Sequence, residues 1–219
     1  PDTGQIVAGF VDIADDMDIE FRLAKRDPQG NCHSGINRIE SELTYDGSNQ
    51  MKQLINWPRN SYMNVYVAAD AAGAAGYTNY PSEWGANTDG IVLKHDYVGS
   101  IGTSNAYRSR TLTHECGHWL NLPHLWGSSN SPSEPDNCDV DDGVDDTPLC
   151  LGSPVGFCNV ERTTCGSLDN VQNYMEYSYC SKMYTTGQRA RMRAALNSSV
   201  ADRNELWSEQ NVEGTGVLE

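Results

Sequence analysis

Eleven consecutive residues, His114-Glu115-Cys116-Gly117-His118-Trp119-Leu120-Asn121-Leu122-Pro123-His124, constrain this chain more than any other stretch. A helix advances about 100° per residue, so His114 and His118 fall about 40° apart on one face. Leu112, Cys116, Trp119 and Leu120 share the opposite face and form an apolar stripe suited to a core. Glu115 stands off that stripe, beside the histidine pair. Such a helix has a buried back and a chemical front.

Zinc explains the front. Two neutral imidazoles one turn apart fit two corners of a tetrahedron with Zn–N near ~2.0–2.1 Å, and a third imidazole fills the next. The fourth corner stays open for water. To bring His124 round, the chain must leave the helix at Asn121, and asparagine is second only to glycine in tolerating the left-handed conformation that this exit requires. Pro123 then bars a return to helix. Glu115 cannot easily reach the metal and is placed to take a proton from bound water. His114, His118 and His124 are the expected zinc ligands. His33 and His95 lack partners at ligand spacing and read as surface or packed histidines.

The 219 residues suit one domain, or two lobes sharing a cleft. A net charge of −15 repels nucleic acid and anionic membrane surfaces, so neither is an expected partner. There is no apolar run of about 18 residues, as a membrane span would need. Pro1 reads as a processed start, compatible with a removed leader. Five of the seven cysteines (Cys138, Cys150, Cys158, Cys165 and Cys180) crowd one span without any C-x-x-C pair. That arrangement points to disulfides in an oxidising compartment, hence to a secreted or extracellular protein, rather than to a zinc ribbon. Cys116 belongs to the apolar stripe and reads as a buried thiol.

Along the chain, residues 1–18 read as an irregular arm. Ile19, Phe21 and Leu23 alternate with Glu20, Arg22 and Ala24, the pattern of a half-buried strand. Residues 35–42 are strand-like, and Met51, Leu54 and Ile55 share a helical face ahead of Pro58. Met63, Val65 and Val67 make a further strand, and Ile91, Val92 and Leu93 another. The Gly- and Ala-rich stretch 69–90 reads as a surface loop by composition. The active-site helix is expected over about 107–121. Residues 127–170 lack periodicity and need a fastener. Disulfides are one. Asp139, Asp141, Asp142, Asp145, Asp146 and Thr147 offer closely spaced oxygens for Ca²⁺, though not at EF-hand spacing, and an acidic surface loop fits the same residues. Thr185 and Gln188 make a capping box for a last helix with Met192, Ala195 and Leu196 on one face.

The pattern H-E-x-x-H-x-x-(G/N)-x-x-H resembles the zinc signature of the metzincin metallopeptidases, and its surroundings resemble the pappalysin branch. Asn173-Tyr174-Met175-Glu176-Tyr177 is similar to the metzincin methionine turn. The segments 35–39 (GINRI), 88–93 (TDGIVL), 145–148 (DDTP) and 185–196 (TTGQRARMRAAL) carry the same likeness, which runs from about residue 19 to 196. Asn121 departs from the usual glycine.

The resemblance implies an α+β fold: a twisted mixed sheet with a backing helix and the zinc helix, over a loop-rich C-terminal lobe. Residues 1–124 would form the upper lobe and 125–219 the lower one. By the resemblance alone, the rim of the cleft is a second reading of 69–90. It implies the bridges Cys138–Cys165 and Cys158–Cys180, which leaves Cys32, Cys116 and Cys150 without assigned partners. It also implies structural calcium, held here by Asp141, Asp142, Asp145 and Thr147, and a floor under the metal from Met175. Related metzincins place a tyrosine near the metal, which makes Tyr177 a candidate donor to the developing oxyanion. The expected activity is hydrolysis of peptide bonds in protein substrates by a monomeric zinc endopeptidase, with Glu115 as general base and acid. A catalytically silent metal-stabilised binding module and an exopeptidase are the rival readings. Pappalysins often favour a basic residue after the scissile bond, using an acidic pocket just before the cysteine that follows the methionine turn. Here that place is held by Tyr179.

Overall fold

Strand alternation alone does not make a sheet; a strand also needs a neighbour with free backbone groups. The computed structural model describes residues 3–82 and 84–218, and only some of the expected strands find that neighbour. In chain order the elements are β1 (Ala14–Asp15), α1 (Asn49–Lys52), β2 (Val65–Ala68), β3 (Gly76–Tyr77), β4 (Ile91–Lys94) and α2 (Thr111–Trp119). They continue with β5 (Thr163–Thr164), β6 (Ser167–Leu168), β7 (Tyr184–Thr185), α3 (Thr186–Leu196) and α4 (Glu209–Gly214).

The main sheet has the order β2-β4-β3. β2 runs parallel to β4, while β3 is antiparallel to it, so the sheet is mixed as expected. β4 is central: Ile91, Val92 and Leu93 are fully buried, which explains its unbroken apolar run. α2 lies against this sheet, and its back joins Ile91, Leu93, Cys116, Trp119, Leu120, Met175 and Met192 in one core. The α+β class is the one that forms.

Three expectations are corrected. Residues 19–24 form no strand: Phe21 and Leu23 are 56% and 62% exposed, and the segment is tied instead to the C-terminal end. There Arg22 Nη1 donates to the Val217 carbonyl, and the Lys25 and Arg26 amides donate to that of Thr215. Residues 35–42 are irregular up to a 3-10 turn at Glu42–Tyr45, capped by Ser41. The helix read around Met51 shrinks to the single turn of α1, where Met51 is buried and Leu54 exposed.

The chain also does not end structurally at α3. A 3-10 segment, Val200–Glu205, carries Arg203 into the interior, where it forms a two-pronged ion pair with Asp89 at 2.7 and 2.9 Å. Its guanidinium lies 3.5 Å from the centroid of the Trp119 ring, and Trp119 Nε1 donates to the same carboxylate. The C-terminal segment is thereby locked to the back of α2.

The loop-rich region 127–170 contains a 3-10 turn at Pro135–Asp139 and the small β5–β6 hairpin. Disulfides link Cys138 to Cys165 and Cys158 to Cys180, the pairing that the resemblance implied. Cys32, Cys116 and Cys150 are free thiols. α3 begins with the reciprocal Thr185–Gln188 capping box.

Candidate active site

α2 is shorter than its sequence pattern suggests, because Arg108–Arg110 forms a 3-10 turn before it. Its end is a double hydrogen-bonded stop: the Asn121 amide donates to the His118 carbonyl at 2.9 Å and the Leu122 amide to that of Gly117 at 2.8 Å. Asn121 takes φ 75°, the left-handed turn that its position requires. Arg191 on α3 fixes this exit by donating from Nε to the Asn121 carbonyl at 2.7 Å. The chain then delivers His124 to the pair on the helix.

The ligand nitrogens of His114, His118 and His124 lie within 4.8 Å of one another, and no other group of three His, Cys, Asp or Glu side chains does so among the described residues. Each Nδ1 faces a backbone carbonyl: Tyr174 at 2.7 Å, Leu122 at 2.6 Å and Ser129 at 2.9 Å, respectively. A carbonyl only accepts, so each Nδ1 must carry the proton and each Nε2 a lone pair. Nε2 of His118 and of His124 stand 3.1 Å apart with no proton left to share. Two such lone pairs repel unless a cation sits between them. Tetrahedral zinc at ~2.0–2.1 Å from each nitrogen would set them about 3.4 Å apart. Burial pushes the imidazoles down, His118 to about 4 and His124 to about 3, so both stay neutral. The donor set fits zinc.

Glu115 is 5% exposed, and burial pushes its carboxyl up to about 8, opposed by the charge of Lys52. Lys52 is itself buried, donating to the carbonyls of Thr88 and Gly90. The methionine turn packs from below. The Tyr174 carbonyl orients His114, and the Met175 amide donates to Asn173 Oδ1 at 2.9 Å. Asn173 exchanges amide hydrogen bonds with Gln188 at 2.8 and 3.1 Å, which ties the turn to α3. The Tyr177 ring lies 5.7 Å from that of His114 and 4.8 Å from that of His124, so the turn brings it to the metal side.

Three residues near the site were not legible as site residues. The Tyr80 ring stands edge-on to His118 at 5.4 Å, presented from the stretch after β3. Trp126 stacks flat on His124, and Glu176 is a buried carboxylate just past Met175. Each carried a hint but no assigned role: Tyr80 lies in the stretch 69–90 read as a cleft rim or a surface loop, Trp126 two residues beyond a ligand, and Glu176 within the methionine-turn motif.

The acidic residues behave differently. Asp146 anchors α3, accepting from Thr185 Oγ1 and the Gly187 amide. Asp142 is buried and accepts from the Val144 amide and Thr147 Oγ1. Its other oxygen, Oδ2, is buried with no hydrogen-bond partner. Asp141 bonds the Gly143 amide, and Asp141, Asp142 and Asp145 do not gather as three converging carboxylates.

A family model described as pregnancy-associated plasma protein-A, of the M43 peptidases, matches residues 46–197. An extracellular metalloprotease of Neurospora crassa is 32% identical over 170 residues, covering 73% of this chain and 57% of that protein. Another, from Arthroderma otae, is 30% identical over 186 residues, covering 81% of this chain and 63% of its own length. The match thus spans less than two thirds of the length of either relative. Mature mirolysin of Tannerella forsythia, solved in complex with a cleaved peptide, matches with a TM-score of 0.79 at 30% identity, over 98% of this chain and 83% of that one. The chain belongs to the pappalysins, the M43 family of metzincin metallopeptidases.

Proposed function

We propose that this chain is the catalytic unit of a secreted zinc endopeptidase that cuts protein or peptide substrates. The observation that carries the reading is the convergence of three imidazoles, two of them on the helix that also carries the buried Glu115. Bound there, zinc would polarise a water molecule and the scissile carbonyl. His114, His118 and His124 would hold the ion through Nε2, and the three carbonyls at Nδ1 fix their tautomers. Glu115, kept ionised despite its burial by the charge of a bound ion, would take the proton of the attacking water on its carboxylate and return it to the leaving amine. Tyr177 donates its phenolic hydrogen to the carbonyl oxygen as negative charge builds there. Met175 packs under the site as a floor and binds nothing. His124 divides the upper lobe, 1–124, from the lower one, 125–219.

The fungal relatives named as extracellular support a secreted location, and the mirolysin complex supports a peptide substrate. A preference for basic residues finds no support at Tyr179, which stacks on Tyr107 at 6.3 Å and lies beside Arg108. Calcium at the 139–147 loop is supported by the orphaned Oδ2 of Asp142.

A peptide library blocked at both ends tests the function. Endopeptidase action predicts zinc-dependent cuts at internal bonds. Release of terminal residues from unblocked peptides alone would mean an exopeptidase, and binding without cleavage a silent module.

A further inference from the structure

His114 and His118 are braced by the helix that carries them, but His124 lies beyond the left-handed exit, in a loop. Something else must hold its ring. Trp126 covers one face: the two ring planes differ by 3° with centroids 4.5 Å apart. His124 Nδ1 and Trp126 Nε1 both donate to the Ser129 carbonyl, each at 2.9 Å. A carbonyl has two lone pairs, so these two donors saturate it. The oxygen that fixes the His124 tautomer is thus itself pinned by the indole.

The indole is clamped in turn. Gly152, at φ 76°, lies flat on it, and a Cβ there would overlap ring atoms Cε3 and Cδ2. The backbone at this glycine is held by the Ser153 amide, which donates to Glu176 at 2.9 and 3.2 Å. Glu176 directly follows Met175 and also accepts from the Tyr177 amide at 3.0 Å. The Tyr177 ring closes the arrangement edge-on, 5.0 Å from Trp126. A continuous set of contacts therefore runs from the methionine turn, through Glu176 and Gly152, to the third imidazole.

We infer that Trp126 is the positioning residue for His124: by its flat stack and its shared hydrogen bond to Ser129, it sets the orientation in which His124 presents Nε2 to the metal. The inference rests on the zinc reading above. A tryptophan that merely filled the core would serve stability alone, with no effect on how tightly the metal is held.

Zinc affinity separates the two roles without any turnover measurement. Parent, Trp126→Phe and Trp126→Leu proteins are stripped of metal, and zinc is titrated back against a chromophoric chelator. Melting temperatures are recorded with and without zinc. Losing an outer partner of a metal ligand weakens metal binding by roughly 10–100-fold, which is the loss expected for Trp126→Leu. Trp126→Phe keeps a ring face and loses the N–H, and is expected to fall between Leu and parent, about 3–10-fold weaker. The rise in melting temperature on adding zinc should shrink in the same order. If both variants bind zinc within twofold of the parent while melting lower, Trp126 is only core and the inference fails. Should Trp126→Leu not fold, Trp126→Phe decides alone on the same criterion. A parent that binds no zinc would overturn the zinc reading itself, and this inference with it.

Discussion

Gly117 and Met175 touch so closely that no side chain fits between them: a Cβ on Gly117 would overlap Met175 Sδ. The glycine is thus what lets the zinc helix lie on the methionine turn. Met175 is fully buried, and Tyr184 closes in on the same point through a hydrogen bond from its hydroxyl to the Thr113 carbonyl.

Gly117→Ala should therefore destabilise the protein although alanine is the better helix former. Overpacking of this kind costs about 1–3 kcal/mol, against a helix-propensity gain of about 1 kcal/mol. A melting temperature several degrees below the parent is expected by calorimetry. An unchanged or higher value would mean that the methionine moves aside freely.

The buried pair of Asp89 and Arg203 gives a second, separate expectation. Arg203 is fully buried, so its loss strands a carboxylate against Trp119. Arg203→Ala should cost about 3–5 kcal/mol and loosen the C-terminal segment, seen as a fall in denaturation midpoint and early proteolysis after Leu196. A midpoint equal to the parent's would show that the pair contributes nothing to the fold.

Asp142 supplies a pH test. Burial pushes its carboxyl up to about 6, with Asp141 adding to the rise and Arg191 opposing it. The folded state therefore holds this proton more tightly than the unfolded chain does. Its contribution is fully present below the ordinary carboxylate range and is lost as pH rises through about 6. Calcium, which requires the ionised form, should remove that loss. Melting curves from pH 4 to 7, with and without added calcium, check this, and Asp142→Asn should abolish the calcium effect. Identical curves with and without calcium would rule out calcium binding to Asp142.

The zinc helix, its left-handed exit, the central strand β4 and the capped α3 could be read from the sequence because local periodicity or spacing determines each. Asn121 shows this best, since position alone demanded its φ of 75°. The failures are tertiary. Residues 19–24 alternate correctly but find no sheet edge to pair with, and Arg22 bonds Val217 instead. Arg203 and Asp89 are 114 residues apart, and nothing local marks either as buried. Tyr80 and Trp126 reach the site only because β3 and the Ser129 loop bring them there. Long-range placement of polar and aromatic groups leaves no pattern in a single sequence.

Tyr177→Phe keeps the ring and removes only the hydroxyl. Zinc content and melting temperature should stay at the parent values, because the ring contacts with His124 and Trp126 remain. kcat should fall by about 10²–10³ with little change in KM, as for loss of an oxyanion donor. Turnover within about twofold of the parent would reduce Tyr177 to a packing residue.

The central claim is that Glu115, beside three zinc-holding histidines, moves the proton of the attacking water. Turnover of a doubly blocked peptide by zinc-replete Glu115→Gln, compared with the parent at matched zinc content, tests it most directly. The variant should bind one zinc, melt with the parent and cut at least about 10²–10⁴-fold more slowly, the loss expected for a missing general base. A zinc-loaded variant that cuts the same internal bond at the parent's rate would contradict the account.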